Sequence, residues 1–403
     1  MKAVVWHGVG DIRLDDVTEP KISEPTDAIV RITTSAICGT DLHMVRGTMP
    51  GMAEGTVLGH EAVGVVTEVG AEVRGFSEGD RVVVPSTLGC GACDFCHRGL
   101  YAQCDVVNPN GPSAGTAFFG GPASAGPFDG LQAEYARVPY AATNLVRLPD
   151  DVTDDQAILL SDILPTSWFG ARLADVAQGD TVLVFGAGIV GQLAALSAKR
   201  QGATRVLMVD DHASRLRTAR AQNVETIDMT AEDPVAVVRD LTRGRGADAV
   251  IDAVGIDAVR PKAGPARDSL PVDAATFDAE RDAAAPDASP DDDLWVPGDA
   301  PSLVQRWAVE AVAKAGRIGV IGVYPPGFCS WPVGAAMNKN LIVRMGNCNH
   351  RRYLPRLVGL VQTGAVDLTP FITQHREPAQ AIDAYETFDR RADGWLKTVL
   401  DVA

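Results

Sequence analysis

At 403 residues the chain exceeds the usual size of one hydrophobic core, so two domains are expected. Hydrophobic content of 46% and charged content of 22% suit a globular protein in water, and no apolar run approaches the roughly 20 residues that span a bilayer. A formal net charge of -16 disfavours nucleic acid and anionic membrane as partners, which need a basic face, but suits an enzyme of small molecules.

In chain order, MKAVVWHGVGDIRL reads as a first strand rather than a secretory leader, so a cytoplasmic protein is expected. To about residue 155, short β-rich runs (KAVVWH, DAIVRITTSAIC, EAVGVVTEVG, DRVVVP, AEYARVP) alternate with Gly and Pro, predicting a compact, mostly β domain. Within it, AICGTDLH carries Cys38, Thr40 and His43, and GHEAVGVVTEVG carries His60 and Glu61. A catalytic zinc needs three protein ligands and one open position; Cys38 and His60 offer two. The run CGACDFCHRGLYAQC brings Cys90, Cys93, Cys96 and Cys104 close enough to place four thiolates around one structural zinc. An iron–sulfur cluster is the rival, but the fourth cysteine lacks the expected following proline. In AILLSDILPTSWFG, Asp162 ends an apolar run before a predicted Pro-Thr turn, either as a helix cap or as a group recruited for chemistry.

From about residue 175 the period changes. The runs TVLVF, RVLMVD, ADAVIDAVG and RIGVIGVY read as buried strands, alternating with the helical IVGQLAALSAKRQG, SRLRTARAQN and LVQRWAVEAVAKAG. That alternation predicts a doubly wound parallel sheet, making the whole chain α/β. Gly186, Gly188 and Gly191 form G-x-G-x-x-G between a strand and a helix, the context in which backbone N–H groups cradle a pyrophosphate. Asp210 ends the next strand, where a carboxylate binds ribose hydroxyls and repels a 2′-phosphate, predicting NAD over NADP. Residues 257–300, rich in Asp, Ala and Pro, read either as a lid or as a mobile insertion. After about 340, LIVRMGN, a helical HRRYLPRLVGLVQTGAV and WLKTVLDV look like a return to the first domain.

GHEAVGVVTEVGAEV fits the GHE-x-x-G-x-x-x-x-x-G signature, and with CGTDLH, the cysteine loop and the glycine turn in order, the chain resembles the zinc-containing alcohol dehydrogenases of the medium-chain dehydrogenase/reductase superfamily. The resemblance implies a GroES-like catalytic domain over 1–160, completed by 346–403, and a Rossmann NAD-binding domain over 161–345 that carries the acidic insertion, with the active site in the cleft between them. It implies two zinc ions per chain and NAD, and assigns Asp162 the third catalytic ligand position, where many relatives use cysteine. SDILPTSWFGA further resembles the glutathione-independent formaldehyde dehydrogenases and aldehyde dismutases, which use Asp there and share a long late insertion.

By the same resemblance, Thr40 takes the substrate proton, His43 is the relay base at the surface, and Glu61 steers the metal or is an alternate ligand. Thr166, Ile189 and Val190 match positions lining the nicotinamide, and Val323 is a further cofactor position. Arg215 matches a residue near the adenosine ribose and Lys397 one near the pyrophosphate. Each also has an ordinary packing or surface reading. Cys329 and Cys348 are expected to pack as small apolar residues. The implied substrate is a small alcohol or aldehyde, and the implied assembly a homodimer or homotetramer. The alternatives are a dismutase that retains its cofactor, a polyol or amino-alcohol dehydrogenase, and a non-catalytic nucleotide-binding scaffold needing only the cysteine-loop zinc.

Overall fold

The computed structural model describes residues 1–111 and 114–402. The chain divides into two units, one of Met1–Pro165, Asp287–Val296 and Asn347–Ala403, the other of Thr166–Pro286 and Pro297–Gly346. No helix among the described residues is long and apolar enough to cross a membrane.

The first unit is built on a seven-stranded sheet. Its path runs Gln374–Arg376, Thr398–Asp401, Ala28–Ile37, Ala62–Val69, Arg81–Val84 and Val146–Arg147, with Tyr135–Val138 also paired to Ala28–Ile37. Alternating Val30 and Ile32 pack with Val66, Val82, Val84, Phe119 and Leu131, giving the two-residue period of a sheet with one face on a core. Register then decides where the chemistry lies. Thr398 pairs Ile37 and Ser35 pairs Ala62, so Cys38, the His60–Glu61 pair and Lys397 all sit at one end of three adjacent antiparallel strands.

The second unit is a six-stranded, wholly parallel sheet whose strands, numbered in chain order within it, lie 3-2-1-4-5-6. Its first strand, Thr181–Phe185, sends Val182 and Val184 into one core and Leu183 and Phe185 into the other, as a strand covered on both faces must. The glycine turn follows this strand, where the order reverses between strands 1 and 4. In parallel sheets such a switch point leaves a crevice for a ligand.

Four local readings are corrected. The third strand, Glu225–Asp228, was not anticipated, because four residues with two acids at a sheet edge carry little apolar signal. The run after Leu303 is helical only to Ala311; VAKAG joins the strand Val312–Val320, where pairing with Ala247–Asp252 overrides helix propensity. LIVRM, read as a return to the first domain, supplies the sixth parallel strand, Ile342–Met345. Pro165 and Thr166 form no turn: they lie in the first turn of the helix Ile163–Leu173, where a proline costs no hydrogen bond.

The acidic segment is folded and divided between the units. Its helix Ala274–Ala284, capped by Asp273, buries Phe277 fully in the second unit. Its stretch Asp287–Val296 belongs to the first, where Leu294 and Trp295 are buried with Leu42, Met44 and Val45. The Trp295 N–H donates to Asp389 at 2.7 Å, and Arg46 holds the other Asp389 oxygen at 2.7 Å.

Candidate active site

Cys38 follows the strand Ala28–Ile37 and caps the short helix Gly39–Val45; its N–H donates to Asp41 at 2.9 Å. The other Asp41 oxygen lies 3.0 Å from His60 Nδ1. A carboxylate there fixes the ring so that Nε2 is presented to the site. Gln132 donates to Asp41 at 3.3 Å and accepts from the Tyr385 hydroxyl at 2.8 Å, so a buried chain of hydrogen bonds stands behind Asp41.

Asp162 comes from the opposite side. It ends the helix Asp154–Ser161, whose last residue is tied to two strands: Ser161 Oγ accepts from the Ala62 N–H at 3.0 Å and donates to the Val84 carbonyl at 2.5 Å. The position is formally a cap, yet the side chain turns inward, with Oδ2 3.6 Å from His60 Nε2. Ligand atoms of Cys38, His60, Glu61 and Asp162 all lie within 4.8 Å of one another, and all four residues are buried.

The charge of this cluster calls for a cation. The buried Glu61 and Asp162 carboxylates and the Cys38 thiol lie near Lys397, whose Nζ is 2.5 Å from Glu61 Oε1, while Asp41 faces His60, so these acidic groups outnumber Lys397 and His60. His60 Nε2 and Glu61 Oε2 are buried without a hydrogen-bond partner among the described residues. Such orphaned groups are costly unless something else binds them, and a thiol–imidazole–carboxylate set is what zinc prefers. Burial pushes the Cys38 thiol up, with His60 pulling it back. Burial also works against ionised Asp162, but the hydrogen bond from His350 and the His60 imidazole close by overcome it and hold the carboxyl well below its usual range.

The cysteine loop forms a second cluster. Cys90 and Cys96 sulfurs are 4.0 Å apart and Cys93 and Cys104 sulfurs 3.7 Å. Four thiolates at the usual zinc distance would be separated by about 3.8 Å. Backbone N–H groups of Cys90, Ala92, Cys93 and Val107 point at these sulfurs, and Cys93 is brought down to about 7, its burial outweighed by hydrogen bonds from the Cys96 backbone and neighbouring thiols.

In the second unit, Gly186 takes a φ of +90° and Gly191 lies so close to it that a Cβ would stand 1.8 Å from the Gly186 carbonyl oxygen. A Cβ on Gly188 would meet nothing within 4 Å, leaving open space before the first turn of helix Ile189–Arg200. Asp210 accepts from the Ala187 N–H inside this turn at 2.6 Å and from the Asp211 and His212 N–H groups at 2.9 Å. Arg215 is half-buried and its charge favours the Asp210 carboxylate. Ile189 is buried; Thr166, Val190 and Val323 are half-buried, and the Val190 carbonyl accepts from Ser167 at 2.8 Å.

Three expectations change. His43 is not at the surface: it is buried, with Nδ1 2.9 Å from the Thr48 hydroxyl. Lys397, expected near the pyrophosphate, is fully buried and donates to Glu61 and to the Ile37 carbonyl at 3.1 Å. Cys348 is buried as expected, but Cys329 is exposed on a proline-rich loop. Thr40 is half-buried on the helix that begins beside Cys38. Sequence reasoning missed Asp41, Gln132 and His350; only Asp41 had a local signal, three residues after Cys38 as the third residue of a capped helix.

Residues 24–150 match the alcohol dehydrogenase GroES-like domain and residues 190–263 the zinc-binding dehydrogenase family. A zinc-type alcohol dehydrogenase-like protein of Bacillus subtilis is 34% identical over 404 residues, covering 99% of this chain and 100% of that one. A glutathione-independent formaldehyde dehydrogenase of Pseudomonas aeruginosa is 39% identical over 270 residues, covering 64% of this chain and 66% of that one. Among solved structures, an alcohol dehydrogenase from a Thermus species superposes with a TM-score of 0.80 at 30% identity, covering all of both chains. With its GroES-like and Rossmann-type domains, the chain belongs to the zinc-type alcohol dehydrogenases of the medium-chain dehydrogenase/reductase superfamily.

Proposed function

We propose that the chain is an NAD-dependent zinc dehydrogenase that moves a hydride between NAD and a small alcohol or aldehyde hydrate, formaldehyde included. The observation that carries this reading is the buried quartet of Cys38, His60, Glu61 and Asp162, with His60 Nε2 lacking a hydrogen-bond partner within it. Cys38, His60 and Asp162 would hold the catalytic zinc, and Cys90, Cys93, Cys96 and Cys104 the structural one. Zinc held there would supply Lewis acidity toward a hydroxyl, and NAD would supply a hydride acceptor. Glu61, held by Lys397, would steer the metal or serve as an alternate ligand. Thr40 would take the substrate proton while releasing its own toward His43 as relay base, with the nicotinamide ribose hydroxyl between them, and the Thr48 hydroxyl lies 2.9 Å from His43 Nδ1.

Gly186, Gly188, Ile189, Val190, Gly191 and Val323 would line the cofactor with Thr166 and Arg215, and Asp210 supports NAD over NADP. The formaldehyde assignment rests on Asp162 at the third ligand position and on the partial relative from Pseudomonas. Self-association is supported by the sheet edge at Ile342–Met345, where Ile342 and Met345 are exposed.

Zinc analysis of purified protein tests the site: two ions per chain are expected, and one after Asp162→Ala. An unchanged count in that variant removes Asp162 from the ligand set. Formaldehyde and short alcohols supplied with NAD test the reaction by absorbance of NADH. Aldehyde consumed with no net NADH replaces the simple dehydrogenase with a dismutase that keeps its cofactor.

A further inference from the structure

Asp162 has two oxygens, and only one lies on the side of His60. Its Oδ2 is 3.6 Å from His60 Nε2, while Oδ1 is 2.6 Å from Nε2 of His350, a residue 188 positions away at the start of helix His350–Gln362. An ionised carboxylate only accepts, so this short contact has the His350 N–H donating to Asp162. On its far side, His350 Nδ1 meets the Thr87 hydroxyl at 2.9 Å, and that hydroxyl also donates to the Cys348 carbonyl at 3.0 Å. His350 is 2% exposed, so water does not substitute for these partners.

The segment carrying His350 is itself pinned. Asn347 donates to the Thr116 hydroxyl at 2.6 Å, and Asn349 accepts from the Ala102 N–H, inside the cysteine loop, at 2.9 Å. The imidazole is therefore a rigid donor on a braced turn rather than a free side chain.

We infer that His350 is a positioning residue for the catalytic metal: it fixes one Asp162 oxygen so that the other is presented beside Cys38 and His60. The inference rests on the reading of Asp162 as a ligand. A carboxylate left free to rotate would spread its oxygens over several orientations, and each orientation that misses the metal weakens binding. Loss of such outer hydrogen-bond partners costs metal sites about 10–100-fold in affinity. Thr87 supports the same geometry one step further out.

The test uses full-length, zinc-loaded protein and zinc competition with a chromophoric chelator. Asp162→Ala, which should keep only the cysteine-loop zinc, defines the catalytic-site signal. His350→Ala is expected to weaken that zinc about 10–100-fold while the cysteine-loop zinc is unchanged, and to alter the visible spectrum of cobalt placed in the catalytic site. His350→Gln keeps an N–H donor of similar reach and should recover most of the affinity. Thr87→Val, which leaves the histidine in place, should give a smaller loss in the same direction, and it carries the test if His350→Ala does not fold. An unchanged affinity and cobalt spectrum in His350→Ala, or equal losses in the alanine and glutamine variants with the fold intact, overturns the positioning role. Two zincs retained in Asp162→Ala would instead overturn the ligand assignment itself.

Discussion

Lys397→Met removes the cation that faces Glu61. Both side chains are 0% exposed, the Nζ–Oε1 distance is 2.5 Å, and the second Glu61 oxygen has no hydrogen-bond partner among the described residues. The variant therefore leaves a carboxylate buried beside Asp162 without its main counter-charge. Breaking one side of a buried ion pair costs about 3–5 kcal/mol. For a domain of about 150–250 residues each kcal/mol moves the melting temperature by about 2–4 °C, so the first unit should melt roughly 6–20 °C lower. Replacing both partners, as in Glu61→Gln with Lys397→Met, should recover most of the loss, because a neutral pair has no charge to desolvate. Burial already pushes the Glu61 carboxyl above its ordinary 4.5, with Lys397 opposing it. Without Lys397, a folded value above the unfolded one favours the protonated acid, so the deficit should shrink as pH falls towards 4.5 and grow as it rises. Scanning calorimetry on zinc-loaded and zinc-depleted protein reads all of this. A single variant melting within about 2 °C of the parent, or a double variant no more stable than the single, would refute the reasoning.

Two further outcomes follow from the second unit. Gly188→Ala should keep the parent melting temperature yet weaken NAD binding, since its Cβ meets no protein atom within 4 Å, whereas Gly191→Ala should lower both, its Cβ standing 1.8 Å from the Gly186 carbonyl; calorimetry and NAD titration separate the cases, and parent-like NAD affinity in Gly188→Ala would remove that glycine from the cofactor site. Asp210 and Asp211 push His212 up to about 9, above its ordinary 6.5, so its contribution is complete below 6.5 and is lost as pH climbs towards 9. The side chain is 26% exposed, and after solvent screening the contribution is on the order of 1–2 kcal/mol. His212→Gln should flatten that part of the stability profile in denaturant titrations between pH 6.5 and 9, and an unchanged slope counts against the pairing.

Most of the parallel sheet was legible because its strands are long, apolar and buried on both faces, as in TVLVF and RVLMVD. ETID was not, since a short edge strand with two acids owes its conformation to pairing with Arg205–Asp210. The division of the acidic segment had no sequence signal either: Trp295 is held by Asp389, 94 residues away.

The sequence by itself determined which groups could do chemistry, because ligand spacing and glycine turns are local: four cysteines within fifteen residues, GHE, and G-x-G-x-x-G each state their requirement in one stretch. It could also align Asp162 with a missing ligand through resemblance. Only the tertiary structure decided how that carboxylate is held. Its partners His60 and His350, like the Glu61–Lys397 pair, are joined by strand register and helix packing across 102, 188 and 336 positions, distances over which residue order carries no geometric information.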